Sequence, residues 1–226
     1  RNIRRGTADL AVEPAMSRAE CERAILVGVE VVKDLVDQGY RLLATGEMGI
    51  GNTTTSAAVA SVLLGREAEE VTGRGAGLST EGLRRKVDAI RRGIAVNRPD
   101  ASDPVDTVSK VGGLDIAGLM GVFLGGALYH VPVLIDGFIS SVSALAAARL
   151  CPAALDYMLA SHASNEPAGK MVLEALGLEP FLYARMCLGE GTGAVAVIPL
   201  LDMALAMYRE MSSFSDINID AYEHLT

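Results

Sequence analysis

The stretch Tyr40-Arg41-Leu42-Leu43-Ala44-Thr45-Gly46-Glu47-Met48-Gly49-Ile50-Gly51-Asn52-Thr53-Thr54-Thr55 decides how this chain is read. Tyr40 to Thr45 has the length and apolar character of a short buried strand. Gly46 to Asn52 is a glycine turn, and a small-residue helix is expected from about Thr54. A strand that opens through glycines into a helix is a building unit of parallel sheets, whose ligand groups collect at the strands' carboxyl ends. Glu47 occupies that turn. Glycines beside an acid permit positive φ and close ligand approach, and the helix that follows offers unpaired N–H groups.

The unit recurs along the chain. Upstream, Ser17 and Glu20 form a capping box for a helix from about Arg18 to Gln38, stopped by Gly39, with Ala24, Gly28, Val31, Val32, Leu35 and Val36 inward. Downstream, Ser79 or Thr80 caps a basic helix that runs to about Asn97. A glycine- and alanine-rich helix spans about Leu114–Leu128 and leads to a strand over Val131–Asp136, where Pro132 disfavours a central sheet position, although the start of a strand tolerates it. A helix then ends near Leu150, a further helix is expected over about Pro152–Ala160, and a last strand over Phe181–Cys187. This strand feeds Leu188-Gly189-Glu190-Gly191-Thr192-Gly193-Ala194 and a helix to about Met211. The fold class is therefore α/β, a parallel sheet flanked by helices in a Rossmann-like arrangement.

Composition narrows the function. The 226 residues are half hydrophobic but only 4 % aromatic, as suits aliphatic strands covered by helices. A net charge of −8 excludes a basic nucleic-acid surface. Arg84, Arg85, Lys86, Arg91 and Arg92 cluster, but Leu83, Val87, Ile90 and Ile94 make the opposite stripe of an amphipathic helix. Cys21, Cys151 and Cys187 lack disulfide or zinc spacing, which favours a reducing cytoplasm. His130, His162 and His224 are scattered, so structural or surface roles are expected for all three and no metal is called for. Ile116 to Ile135 is apolar, but glycines, Tyr129, His130 and Pro132 break it into soluble core rather than a membrane span.

Taken singly, each glycine loop reads either as a tight turn or as a ligand cradle. GIGNTTT offers backbone donors and hydroxyls but lacks the GK[ST] ending of a nucleotide P-loop, and GRGAGL at Gly73–Leu78 is not a GxGxxG fingerprint. Asp136 either faces a ligand or caps the helix after it. Ser164 and Asn165 either bind or shape the turn before Pro167. GEGTGA also resembles a methyltransferase glycine loop.

In order along the chain, GEMGIGNTTTSAA, GRGAGL, VGGLDIAGLMG, PVLIDGFISS, SHASNEPAG and LGEGTGA closely resemble the nicotinate-nucleotide dimethylbenzimidazole phosphoribosyltransferase family of cobalamin lower-ligand assembly. The resemblance covers nearly the whole chain. It implies transfer of phosphoribose from nicotinate mononucleotide to 5,6-dimethylbenzimidazole, without a cofactor, in a cytoplasmic homodimer that could pack through its glycine- and alanine-rich helices. Glu190 matches the family's catalytic base and Glu47 an active-site acid. Gly49, Asn52, Thr53, Gly73, Gly75, Gly77, Lys86, Asp136, Ser164, Asn165 and Leu188 fall on matching substrate-binding segments.

Against the family pattern, roughly the first third is missing ahead of Arg1. The expected organisation is a phosphoribosyltransferase core over 1–211. Residues 212–226 would join a small helical subdomain that the missing segment completes. The competing readings are a nucleotide- or benzimidazole-binding module without catalysis, and a glycine-loop methyltransferase that leaves GEMGIGNTTT and SHASNEPAG unexplained.

Overall fold

Helix caps and apolar stripes set the frame. The computed structural model describes residues 1–220, so His224 and the end of the 212–226 segment lie outside the described residues. Helix α1 (Arg18–Asp37) starts at the expected capping box: Ser17 Oγ accepts from the Glu20 N–H, and the Glu20 carboxylate accepts from the Ser17 N–H. Its buried stripe is Cys21, Ala24, Ile25, Gly28 and Val32. Val31, expected inward, lies on the flank of that stripe and is exposed.

Strand β1 (Leu43–Ala44) is shorter than expected and leads to α2 (Thr53–Leu64), α3 (Ala68–Val71) and the basic helix α4 (Thr80–Asn97), capped by Ser79. Helix α5 (Pro104–Val111) is capped by the Asp103 carboxylate. Helix α6 (Leu114–Leu128) has the expected bounds and precedes β2 (Val133–Ile135) and α7 (Phe138–Leu150). A 3-10 turn (Pro152–Tyr157), β3 (Met158–Ala160), α8 (Gly169–Leu176) and α9 (Thr192–Glu210) complete the described elements.

The sheet is parallel, in the order β1-β2-β3, with Leu43 opposite Val133 and Val133 opposite Met158. Its central strand alternates as a two-residue period requires: Val133 and Ile135 join the main core, while Leu134 packs with Ala194 and Val197 of α9. Helices thus cover both faces, the arrangement expected of the α/β class.

Pro132 does not push its strand to the edge, because the strand begins one residue later and only the Pro132 carbonyl is used, accepting from Leu43 N–H at 3.0 Å. The supposed helix over Pro152–Ala160 closes after one 3-10 segment, and Met158–Ala160 pairs with β2 instead. Conversely, Phe181–Cys187 makes a single bridge, Leu182 to His162, before Arg185 turns at φ 53°. Short apolar runs do not distinguish a buried strand from a helix, and the partner strand decides.

The run Ile116–Ile135 is mostly core, as expected, with Leu128 and His130 exposed where α6 ends. Among the described residues, α9 is by length and composition apolar enough to cross a membrane, yet its first turn is built into the sheet edge. Beyond Val197 it is largely exposed, with Met203, Met207 and Tyr208 facing outward.

Gly121, Gly125 and Gly126 of α6 serve close packing within the chain. A Cβ on Gly121 would lie 1.9 Å from the Ile25 carbonyl oxygen of α1, whereas one on Gly118 would meet nothing within 4 Å. Gly121→Ala should therefore cost about 1–3 kcal/mol of stability, because α1 and α6 must separate. Gly118→Ala should gain up to about 1 kcal/mol from helix propensity. Urea denaturation of both variants checks the pair, and equal effects would contradict this account of the contact.

Candidate active site

The site assembles where β1, β2 and β3 end. After β2 comes Asp136, only 2 % exposed. Its Oδ1 accepts from the N–H groups of Gly193 at 2.9 Å and Ala194 at 3.1 Å, and its Oδ2 accepts from the Gly191 N–H at 3.1 Å. Asp136 therefore caps α9, far away in sequence, and not its own following helix, whose cap Gly137 makes no side-chain bond. A carboxylate on unpaired first-turn amides is favoured both by hydrogen bonding and by the helix dipole.

This clasp holds the LGEGTGA turn beside the GEMG turn. The Glu190 N–H donates to the Glu47 carbonyl at 2.9 Å, and a Cβ on Gly46 would lie 2.4 Å from the Gly191 nitrogen. Only glycine at position 46 permits that approach. Gly189, Glu190 and Gly191 follow one another at φ 74°, 59° and 80°. For Glu190, which has a Cβ, the left-handed region is strained, and such strain collects at functional sites. Glu190 is exposed at the rim, outside the residues that line the cleft.

The cleft itself is lined by Glu47, Gly49, Thr53, Asp136, His162, Ser164, Glu166, Leu188 and Gly189, among others. The Glu47 Oε2 accepts from the Gly49 N–H at 2.5 Å, which fixes its carboxylate over its own turn. A neighbouring depression shares Gly49 and Thr53 and adds Gly75, Gly77 and Lys86. Here Lys86 Nζ donates to Thr53 Oγ1 at 2.9 Å and to the Gly73 carbonyl at 3.0 Å. Burial pushes the Lys86 pKa down, and the Glu166 carboxylate opposes that shift. With α2 lacking a side-chain cap, its amides, Lys86 and the glycine loops suit a bound phosphate.

A third hollow joins Gly73, Gly75, Ser164, Asn165 and Glu166. Of the residues singled out from sequence, Asn52 and Glu190 lie outside all three; Asn52 Nδ2 donates to Asp115 Oδ2 at 2.7 Å beneath the loop. Among the lining residues outside the expected set are the titratable side chains of Glu166 and His162. Glu166 stands within the SHASNEPAG motif, two positions after Ser164, so its carboxylate was in plain view there. His162 is buried in the cleft wall, with Nδ1 3.0 Å from Ser161 Oγ. Gly193 leaves room for it: a Cβ there would fall 1.9 Å from the ring. His130 keeps a surface role, its Nδ1 2.6 Å from the Tyr157 hydroxyl. Among the described residues no three His, Cys, Asp or Glu side chains gather as a metal site.

The fold and these clefts define an α/β protein that brings a lysine-bearing glycine cradle against two acid-bearing turns. The chain belongs to the phosphoribosyltransferase family DBI_PRT, which matches it over residues 1–219. It is 52 % identical over 223 residues to a nicotinate-nucleotide dimethylbenzimidazole phosphoribosyltransferase of Acetivibrio thermocellus, covering 99 % of this chain and 64 % of that protein. The corresponding protein of Ruminiclostridium cellulolyticum is 50 % identical over 225 residues, covering 100 % of this chain and 64 % of its own length. The crystal structure of CobT from Thermus thermophilus superposes with a TM-score of 0.91 at 42 % identity, covering 97 % of this chain and 66 % of that one. The chain thus spans a little under two thirds of the length of these relatives.

Burial lowers the His162 pKa, and the Asp136 carboxylate opposes it in part. The unfolded chain takes up a proton near the ordinary value of 6.5, while the folded chain stays neutral to lower pH. Folding stability should therefore fall as pH drops below about 6.5 and stop falling below the folded-state pKa. His162→Gln should remove that part of the pH dependence. Urea midpoints at pH 7.5 and 5.5 test this, and parallel losses in both proteins would refute it.

Proposed function

We propose that this chain carries the chemical centre of an enzyme that moves phosphoribose from nicotinate mononucleotide to 5,6-dimethylbenzimidazole, releasing α-ribazole 5′-phosphate and nicotinate. The observation that carries the reading is the joining of the strained Glu190 turn to the Glu47 turn at the edge of a lysine-bearing glycine cradle. The names of the similar proteins from Acetivibrio and Ruminiclostridium support the same substrates.

In the reaction the bond between the anomeric carbon and the nicotinate nitrogen breaks as a benzimidazole nitrogen attacks from the opposite face, inverting that carbon. The leaving nitrogen already bears positive charge and departs without a general acid. The incoming base becomes cationic, and the carboxylate of Glu190 takes the proton from its second nitrogen. Glu190 reaches the base from the rim by side-chain rotation, while Glu47 orients the ring. Lys86, Gly49, Thr53, Gly75 and Gly77 hold the phosphate; Gly73, Ser164, Asn165 and Leu188 shape the nucleotide's surroundings. Asp136 acts through the turn that it clasps, and Asn52 supports the cradle from below through Asp115.

General-base assistance is worth about 10²–10⁴-fold, and positioning of both substrates supplies much of the rest. Glu190→Gln should bind nicotinate mononucleotide as well as the parent protein but lose about 100-fold or more in turnover. Mass analysis of the products after incubation with both substrates measures this. Near-normal turnover would sink the base assignment. Nucleotide binding by the parent protein without nicotinate release would favour the non-catalytic module.

The family resemblance further leads us to infer a homodimer and a helical subdomain that includes residues 212–226. Exposed apolar side chains on α9 and after it, such as Met207, Tyr208, Met211 and Phe214, suit such contacts. Light scattering on the purified protein should give twice the chain mass. A monomer mass at micromolar concentration would count against the dimer.

A further inference from the structure

The carboxylate of Glu166 is left unpaired by the rest of the fold. Its Oε2 is buried without a hydrogen-bond partner. Buried carboxylate oxygens normally find a donor, and leaving one unmet is costly. The chain nevertheless makes room for this one: a Cβ on Gly73 would lie 1.8 Å from Oε2, so glycine at position 73 admits the acid. The same Gly73 offers its carbonyl to Lys86 Nζ.

Position indicates what donor is expected. Glu166 is shared between the cleft that holds Glu47 and Gly189 and the hollow that holds Gly73 and Gly75. Gly75 in turn belongs to the cradle of Lys86. Glu166 therefore stands between the anion end of the site and its acid end. In a nucleoside 5′-monophosphate the sugar lies between phosphate and base. A carboxylate repels the phosphate but accepts readily from a sugar hydroxyl, and hydrogen bonds to a charged acceptor are the stronger kind.

We propose that Glu166 is a further substrate-contacting residue, whose carboxylate accepts a ribose hydroxyl of the bound mononucleotide and so selects ribose over deoxyribose. The assignment rests on the mononucleotide reading above. It predicts a coupling between one side chain and one ligand group.

Calorimetric titration of nicotinate mononucleotide and of its 2′,3′-dideoxy counterpart into the parent protein and Glu166→Gln measures that coupling. The parent should bind the ribonucleotide about tenfold or more tightly than the dideoxy form. Glu166→Gln should lose about that factor for the ribonucleotide and change the dideoxy affinity by less than about twofold. Equal losses for both ligands, or equal affinities of the parent for both, would overturn the role of Glu166 alone. Failure of the parent to bind either nucleotide would overturn the mononucleotide reading and this assignment with it. Should Glu166→Gln not fold, Glu166→Asp, which withdraws the same charge by one methylene, completes the cycle with the same expected direction.

Discussion

The rest of the site depends on three hydrogen bonds to one carboxylate. Asp136 ends the central strand, and its two oxygens collect the amides of Gly191, Gly193 and Ala194. Hydrogen bonds to a charged acceptor are each worth about 1.5–3 kcal/mol when buried, so the clasp outweighs the strain of a residue held at positive φ, about 1–3 kcal/mol. It ties the least regular turn of the chain to its most regular strand. It adds to the turn's own bonds, in which Thr192 N–H donates to the Gly189 carbonyl and Glu190 N–H to the Glu47 carbonyl, and together they hold Glu190 in its left-handed backbone against Glu47. A polar group at the strand end thus does what apolar packing cannot do for a loop. It fixes direction as well as distance.

Glycine complements the clasp by removing side chains where backbones or rings must meet. Gly46 admits the Gly191 backbone, Gly73 admits the Glu166 carboxylate, and Gly193 admits the His162 ring. In each pair the two partners come from different segments, so each glycine joins two sheet-edge segments that are distant in sequence. The pattern extends to the frame, where Gly28 and Gly121 let α1 and α6 touch main chain to main chain. Other loop glycines, such as Gly49, Gly51 and Gly77, have open space around them and serve instead to hold positive φ.

What could be read beforehand follows the range of the physics. The Ser17–Glu20 box and the apolar stripe of α4 are local, and they fix helix positions to within a residue. The α/β class was legible because strand, glycine turn and helix recur in order. Met158–Ala160 was misread because its strand identity comes from pairing with Val133–Ile135, more than twenty positions away. Phe181–Cys187 shows the converse, a strand-like run that finds only one bridge. At the site, the acids in glycine turns stood out by themselves. His162 and Glu166 did not, because their meaning lies in Gly193 and Gly73, with which they share space but no sequence neighbourhood. The role of Asp136 was hidden for the same reason: its partners lie fifty-five to fifty-eight positions on.

The same geometry makes the cradle electrostatically unfinished. Lys86 is nearly buried, and its fixed partners are a hydroxyl and a carbonyl, both neutral. Desolvation therefore lowers its pKa, and only Glu166, too far to form an ion pair within 4.0 Å, pulls the other way. A phosphate entering beside Nζ would supply the missing charge at short range and favour the protonated amine. On the proposed function, lysine and phosphate would each offset the other's charge. Glu166 meanwhile discourages the phosphate from sliding toward the acid end, because like charges repel more strongly where water is scarce. The buried Lys86 amine and the half-buried Glu166 carboxylate, both beside Gly73, give the cleft a polarity, and a ligand with its charge at one end would be favoured in one orientation.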